Sequence, residues 1–185
     1  LITEMGVKMA DSSISWKKIY GLNRNFLEPV ANRYFFCENP QLIEVEGYDD
    51  GSVDIERPLH ADHLDRGNRI LPFDGKVYLA ESDIKDGIFR LMDAVNVNIN
   101  GEEITYHSTS FEDAREIKAR IIQWVPVDDN VNVKIVMDDA STKEGLGEGA
   151  LRDLEVGDVV QFERVGFARL DEIKDDELVF YYAHK

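Results

Sequence analysis

The chain has 185 residues, of which 43% are hydrophobic and 10% aromatic, enough apolar material for one large domain or two small ones. Disordered chains carry fewer apolar residues, and no apolar run here is long enough to cross a bilayer, so disorder and a membrane span are both excluded. The single cysteine, Cys37, excludes an internal disulfide and a paired-cysteine zinc site, which fits a reducing, cytoplasmic environment.

The formal net charge of -16 is distributed unevenly along the chain. Residues 11–36 carry four basic and two acidic side chains, whereas residues 128–155 carry three basic and eight acidic ones. A uniformly acidic surface repels phosphate, but a locally basic segment can still bind nucleic acid. The alternative is that the acidic stretches are solvated loops that indicate nothing about a partner.

The first 36 residues show a helical pattern, with Ser12 or Ser13 as a candidate N-cap and Pro29 as the end of the helix. The amino end lacks both an initiating Met and the basic start of a signal peptide. We therefore expect the chain to begin in mid-protein.

After residue 36 the hydrophobic pattern changes to a period of two, as in residues 42–46, 53–56 and 131–135. Further strands are predicted at 76–80, 88–99, 103–107, 121–125, 158–165 and 177–183. A short helix is predicted at 111–120 with Ser110 as its cap, and residues 141–149 (STKEGLGEG) are predicted to form a mobile loop.

Turn signals such as Asp74-Gly75 and Asn100-Gly101 separate these short strands, a pattern typical of barrels or sandwiches. We predict a mainly β fold in which a helical connector, residues 1–36, precedes two small antiparallel β-barrels. The first barrel is predicted at residues 37–120 and the second at residues 121–185.

Motifs for catalysis, nucleotide binding and metal binding are weak. The glycines of residues 145–149 have the wrong spacing to cradle a phosphate, and no apolar helix follows them. His60 and His63 could be metal ligands, but their segment contains Pro58 and Gly67 and is better interpreted as a surface loop. No pair of carboxylates lies beside an apolar segment that would raise a pKa, so we predict no catalytic residue and no metal site.

Arginines and amides within apolar segments are the remaining candidates. Arg33 precedes three aromatic residues, Arg90 lies between Phe89 and Leu91, and Gln161 and Arg164 flank Phe162. Readers of single-stranded RNA combine such hydrogen-bonding groups with aromatic faces. For any one arginine, a salt bridge to one of the 37 acidic residues is the alternative.

Several motifs extend over the whole chain: Asp11-Ser12-Ser13-Ile14-Ser15-Trp16, Arg33-Tyr34-Phe35-Phe36, Arg57-Pro58-Leu59-His60, Arg66-Gly67-Asn68-Arg69, Arg90-Leu91-Met92-Asp93, Ile122-Gln123-Trp124-Val125, Gly157-Asp158-Val159-Val160-Gln161-Phe162-Glu163-Arg164 and Tyr182-Ala183-His184-Lys185. Together they resemble the anticodon-binding region of glutamyl-tRNA synthetases of archaeal and eukaryotic type. Glutaminyl-tRNA synthetases are similar in the same places, because the two enzymes share this β-barrel module.

The resemblance implies a longer protein that activates glutamate with ATP and Mg and transfers it to tRNA. Its catalytic domain would lie outside these 185 residues, so the chain itself is expected to hold no cofactor and to lack aminoacylation activity. The implied partners are the tRNA for glutamate, the tRNA for glutamine if charging is non-discriminating, and the catalytic domain of the same polypeptide.

The resemblance also implies roles for individual residues. In the glutaminyl relatives, an arginine at the position of Arg33 and a Gln-x-x-Arg pair matching Gln161 and Arg164 contact the middle anticodon base, a uridine. Arg90 matches the first arginine of an Arg-x-Arg motif, but Met92 replaces the second, which leaves the readers of the first and last bases open. Candidate contacts to the tRNA backbone are Lys17, Lys18, Arg24 and Arg69.

One geometric requirement accompanies this assignment. Residues three apart in a regular strand face opposite sides, so Gln161 and Arg164 can reach one base only if a bulge, a strong twist or the approach to Gly166 redirects one of them. Two other interpretations stay open: a glutaminyl-tRNA synthetase module, and an acidic β-barrel that docks proteins. A third, an independent hydrolase, would need a pocket of perturbed acids that the sequence does not indicate.

Overall fold

A computed structural model describes residues 16–185, without the side chains of Trp16 and Lys17. The predicted caps Ser12 and Ser13 lie outside the described residues. Helices α1 and α2 cover Trp16–Leu27 and Phe111–Glu116. The strands β1 to β16 cover, in order, Asn32–Tyr34, Phe36–Glu38, Pro40–Glu44, Val53–Pro58, Asn68–Phe73, Lys76–Ala80, Gly87–Leu91, Asn96–Asn100, Glu103–Ser108, Arg120–Ile122, Val125–Pro126, Asn130–Val136, Thr142–Glu148, Val159–Phe162, Gly166–Lys174 and Glu177–His184. The predicted mainly β fold is confirmed.

The largest sheet has seven strands in the order β1-β14-β15-β16-β12-β13-β2. Its two outer strands are consecutive in the chain, with only Phe35 between them, so the sheet closes almost completely on itself into a barrel. The carboxylate of Glu148, at the end of β13, accepts a hydrogen bond from the Phe35 backbone N–H at 2.6 Å. Phe35 lies between β1 and β2, and Glu148 supplies the hydrogen-bond acceptor that its backbone N–H needs there.

The other strands form three smaller sheets, ordered β10-β7-β8-β9, β11-β6-β3 and β4-β5. Most pairs are antiparallel, as predicted. Three pairs are parallel, namely β1 with β14, β12 with β16 and β10 with β7. Each parallel pair joins segments that are distant in sequence, which short turns cannot connect.

Two clusters of buried side chains form the interior, and segment 32–38 lies between them. The Phe35 side chain belongs to the first core, whereas Tyr34 and Phe36 belong to the second, as the alternation of a strand requires. The first core draws on residues 35–125 and contains Phe35, Cys37, Leu71, Phe73, Val77, Leu79, Phe89, Leu91, Val97, Ile99 and Trp124. The second core contains Tyr34, Phe36, Val133, Ile135, Leu151, Val160, Phe162, Leu170 and Phe180.

The domain boundaries predicted at residues 36 and 120 remain predictions. Strand β10 crosses the second boundary and pairs with β7, and β11, which follows that boundary, pairs with β6. Segment 32–38 follows α1 directly and contributes to both cores.

Local predictions agree with the structure at several elements. Strand β6 covers Lys76–Ala80, as predicted, and α2 begins after Ser110, whose side chain accepts a hydrogen bond from the Asp113 N–H at 3.0 Å. The helix ends at Glu116 and not at the predicted residue 120, because Arg120 begins β10. Residues 88–99 form two strands and not the single predicted one, because a turn intervenes in which Asp93 has a φ of 61°.

The prediction of a mobile loop at residues 141–149 was wrong. Residues Thr142–Glu148 form β13, which pairs with β12 on one side and β2 on the other. A side chain at Gly145 would collide with the carbonyl of Cys37, and one at Gly147 would meet Leu151 and Val133. The glycines therefore permit close packing of strands and do not indicate mobility.

Candidate nucleic-acid interface

Arg33 and Gln161 are direct partners in the parallel pairing of β1 with β14. Their strand neighbours Tyr34, Val160 and Phe162 point into the second core, so alternation places Arg33 and Gln161 together on the outer face of the barrel. The structure thus brings together two predicted site residues that are separated by most of the chain.

The two side chains differ in how far they are already engaged. Arg33 donates through Nη2 to the carboxylate of Glu28, just beyond α1, at 2.7 Å, and its buried Nε has no partner among the described residues. Gln161 is half-buried, and its amide has no hydrogen-bond partner within residues 18–185. An amide that can both donate and accept is therefore available on this face.

Arg164 lies in the turn between β14 and β15, because β14 ends at Phe162 and β15 begins at Gly166. The turn removes the strict alternation that would place residues three apart on opposite faces. The guanidinium of Arg164 pairs with Asp83, whose side chain is buried, and 50% of the Arg164 side chain stays exposed. The hydrogen bond to Asp83 raises the pKa of Arg164, so the guanidinium stays charged.

The same turn is attached to the first core by its neighbouring residue, Glu163. The Glu163 carboxylate accepts a hydrogen bond from the buried amide of Gln123 at 3.3 Å and pairs with Arg57 at 3.6 Å. Arg57 in turn lies over the Phe35 ring, 4.7 Å from its centroid. Two adjacent residues, Glu163 and Arg164, therefore fix the β14–β15 turn against elements of the first core.

Arg90 is buried, with 6% of its surface exposed, and its contacts are internal. Its Nη1 donates to the Asn96 side chain at 2.9 Å and to the carbonyl of Thr109 at 3.0 Å, while the guanidinium lies 5.7 Å from the Phe111 ring centroid. These contacts hold β7 against the segment that leads into α2. The predicted contact between Arg90 and RNA is untested, and the geometry favours a structural role.

Arg69 is also buried, which makes it unsuitable as a contact to the tRNA backbone. Its Nε donates to the Glu148 carboxylate at 2.6 Å, and its guanidinium lies 5.6 Å from the Phe35 ring centroid. Burial raises the pKa of Glu148, an effect that the Arg69 guanidinium opposes. The pair joins β5 to the end of β13 and leaves Arg69 Nη2 without a partner among the described residues.

The remaining predicted backbone contacts belong to α1. The Lys17 side chain lies outside the described part, and Lys18 and Arg24 are exposed. Helix α1 packs against the last strand through Tyr20, whose ring stacks on His184 with 5.6 Å between centroids. The helix thus presents Arg24 beside the carboxyl end of β16.

His60 is a structural residue. Its Nδ1 accepts a hydrogen bond from the Asp62 N–H at 3.1 Å, so Nε2 carries the proton that it donates to the Glu28 carbonyl at 2.8 Å. The residue is buried, in contrast to the predicted surface loop. Across residues 16–185 no group of three or more His, Cys, Asp or Glu side chains could hold a metal ion.

Sequence reasoning missed Glu28, Asp83 and Glu163, the carboxylates that hold the candidate readers or their turn. Asp83 pairs with a residue 81 positions away and Glu163 accepts from one 40 positions away, so no local pattern marks them. Glu163, Gln123 and Arg57 lay within motifs of the family resemblance, which was the available signal. No helix in the described part is long and apolar enough to span a membrane.

Residues 31–122 match the family described as tRNA synthetases class I (E and Q), anti-codon binding domain, and residues 121–171 match a second profile with the same description. The chain belongs to this family of anticodon-binding domains.

Three relatives show how the similarity is distributed. The chain is 82% identical over 185 residues to the glutamate–tRNA ligase of Methanobrevibacter smithii and 53% identical over 185 residues to that of Methanothermobacter marburgensis. It is 36% identical over 190 residues to that of Methanocaldococcus jannaschii. In each comparison the whole chain is covered, but it spans only about a third of the relative, 33%, 33% and 34% respectively.

Proposed function

We propose that this chain is the anticodon-binding part of a glutamate–tRNA ligase and that it positions the tRNA for glutamate. Its family and the names of its relatives support the class of function. Glutamylation itself, with ATP and Mg, would take place in a part of the protein outside these residues. Because translation is cytoplasmic, the proposed function also implies a cytoplasmic location.

The observation that carries the proposal is the pairing of Arg33 with Gln161 on the outer face of the barrel, with Arg164 three residues after Gln161 in the adjoining turn. The uridine edge presents two carbonyl acceptors and one imino donor. An arginine can donate to a carbonyl, and a glutamine amide can donate and accept at once. We infer that these residues read the middle base of the anticodon.

Rigidity favours this assignment. Arg33 is held by Glu28 and Arg164 by Asp83, so neither side chain has to be ordered entirely at the moment of binding. A platform whose hydrogen-bonding groups are already oriented loses less conformational entropy when a splayed base arrives. Arg90 and Arg69 are left out of the proposed interface because both are buried in internal contacts.

The proposal is tested by charging kinetics of the full-length protein with Gln161→Ala and Arg33→Ala. Losing one base contact should cost about 1 to 3 kcal/mol, or roughly 5- to 150-fold in kcat/KM. A tRNA with cytidine at the middle position should lose much less, because the contact is already impaired. The matched control is Arg169→Ala, which removes an exposed arginine of β15 that pairs with Asp171 at 3.0 Å.

Strong coupling between the base change and the side-chain change would support contact with the base. If the two penalties simply add, Gln161 and Arg33 are structural members of their strands, and the assignment is wrong. Charging of the glutamine tRNA in the same assay decides whether the protein is strict or non-discriminating.

A further inference from the structure

The β14–β15 turn packs into the second core through its first neighbour and contacts the first core through the turn residues themselves. Phe162, at the end of β14, is buried in the second core. The next two residues bind elements of the first core, because Glu163 accepts a hydrogen bond from Gln123 and Arg164 pairs with Asp83. The position of the turn is therefore set by both cores.

Both carboxylate oxygens of Glu163 are engaged by the first core. Oε2 accepts a hydrogen bond from Nε2 of Gln123 at 3.3 Å, and Oε1 lies 3.6 Å from Nη2 of Arg57. Only 22% of the Glu163 side chain and 13% of the Arg57 side chain are exposed. Hydrogen bonds to a charged group are stronger than those between neutral groups, and solvent screens a partly buried ion pair less than an exposed one. These contacts therefore restrain the Glu163 side chain more than a surface salt bridge would.

Gln123 donates from a segment that is itself fixed in the first core. The residue is buried and lies between β10 and β11. Its neighbour Trp124 is fully buried, and the Trp124 indole N–H donates to the carbonyl of Met92 at 2.9 Å. On the other side of Gln123, the Ile122 carbonyl accepts a hydrogen bond from the Met92 N–H at 3.0 Å. The amide that holds Glu163 is thus restrained through both of its chain neighbours.

Gln161 and Arg164 can meet one base only if the turn keeps one conformation. Gln161 lies within β14, whereas Arg164 lies two residues beyond the end of that strand. Segments outside paired strands are more mobile, yet a binding group must be held within about 0.5 Å of its productive position. Because Glu163 directly precedes Arg164, the contacts that fix its carboxylate also restrict the backbone that carries the guanidinium. Gln123 can therefore influence the proposed reading site from inside the first core.

We propose that Gln123 and Glu163 are positioning residues for the middle base of the anticodon. They act by holding the β14–β15 turn in the conformation that directs Arg164 towards the base that Gln161 contacts. This inference rests on the proposed function, because it takes Gln161 and Arg164 as base readers. Since Gln123 belongs to the first-core segment and both readers follow β14, discrimination of the middle base depends on a contact between the two parts of the molecule.

The test uses the full-length protein and compares charging of the tRNA for glutamate with uridine or with cytidine at the middle position. The measured quantity is the discrimination ratio, kcat/KM with uridine divided by kcat/KM with cytidine. Gln123→Met keeps an unbranched side chain of similar length but cannot donate to Glu163, and Glu163→Met removes the carboxylate. Each should lower the ratio by roughly 2- to 30-fold, the range expected of residues that act through a contact network. Glu163→Gln retains an acceptor for Gln123 and should lower the ratio less than Glu163→Met.

The discrimination ratio separates positioning from stability, because partial unfolding lowers kcat/KM for both tRNAs by the same factor. Urea unfolding checks that each variant is folded under the assay conditions. In an Arg164→Ala background, Gln123→Met should have no further effect on the ratio, because the reader that the turn positions is missing. The matched control is Gln41→Met, which removes an exposed amide of β3 that donates to the Asn39 carbonyl at 3.4 Å and should leave the ratio unchanged.

The outcomes distinguish this inference from the proposed function. If Gln161→Ala lowers the discrimination ratio but Gln123→Met and Glu163→Met leave it unchanged, the positioning inference alone is wrong. An equal fall in the Gln41→Met control would also overturn it. If neither Gln161→Ala nor Arg164→Ala lowers the ratio, the base assignment is wrong, and the positioning inference fails with it.

Discussion

Cys37 is fully buried in the first core, where its Sγ donates to the carbonyl of Tyr78 at 3.4 Å. Burial, followed by the nearby charge of Asp83, raises the pKa of the Cys37 thiol from 9.0 to about 12. The thiolate is the reactive form of cysteine, and at pH 8 its population would be roughly a thousandfold lower than for an exposed thiol of pKa 9.0. Cys37 is therefore a packed, inert thiol in the folded protein.

The first prediction concerns this thiol. In the folded protein, alkylation of Cys37 by iodoacetamide at pH 8 should be at least roughly a thousandfold slower than in the urea-unfolded chain. Because the folded pKa is raised, reactivity in the folded state should keep rising with pH up to about 12, whereas the unfolded chain levels off above its ordinary pKa. Mass spectrometry of the labelled protein gives both rates. Complete labelling of the native protein within minutes at pH 8 would contradict the burial of the thiol.

At the scale of elements, β13 closes the barrel because its glycines allow β2 to approach. An ideal Cβ at Gly145 would collide with the backbone carbonyl of Cys37, and backbone cannot rotate away as a flexible side chain can. Apart from its chain neighbours and the nearby backbone of its own helix, Gly21 in α1 has no heavy atom of the described residues within 4 Å of its ideal Cβ. The same chemical change should therefore have opposite effects at the two positions.

The second prediction compares Gly145→Ala with Gly21→Ala in urea unfolding of the isolated chain. Gly145→Ala should lower the free energy of unfolding by about 1 to 3 kcal/mol, because the β13–β2 pairing must shift to admit the methyl group. Gly21→Ala should raise the stability of α1 by about 0.5 to 1 kcal/mol, because alanine loses less backbone entropy in a helix. Equal effects at both glycines would show that β13 does not pack against β2 as described.

At the scale of the whole molecule, segment 32–38 connects the two cores. Phe35 is fully buried on one side of the segment, and Tyr34 and Phe36 are buried on the other. The Arg69–Glu148 pair crosses the same region, with Glu148 bound to the Phe35 N–H. Segment 32–38 is therefore common to the two cores, and we expect both cores to unfold together.

The third prediction is that Phe35→Ala destabilises both cores in one cooperative transition. Removing a fully buried phenylalanine typically costs about 3 to 5 kcal/mol. Native-state hydrogen exchange should show the amides of β6 and β12 losing protection by similar amounts, since they belong to the first and second core. Phe26→Ala, at a phenylalanine with 53% of its surface exposed, is the control and should change stability by less than about 1 kcal/mol. Loss of protection in β6 alone would mean that the cores unfold independently.

The sequence determined the elements whose signals are local. The period-two pattern predicted β6 at its observed bounds, and Ser110 caps α2 as its position before Phe111 indicated. Local signals also led to an error. The small residues of 141–149 suggested a loop, but in the structure they form a closely packed strand. Periodicity describes one segment at a time and contains no information about which segment lies beside it.

Only the tertiary structure decided which arginines are buried, which are exposed and which carboxylate each one pairs with. Arg69 and Arg90 are buried in internal contacts, whereas Arg33 and Arg164 are partly exposed, with 23% and 50% of their side chains accessible. With 37 carboxylates in the chain, the partner of a given arginine depends on contacts between distant residues, such as Arg69 with Glu148 or Arg164 with Asp83. The energy of a charge depends on its burial and its nearest partner, and both are properties of the folded chain and not of the local sequence.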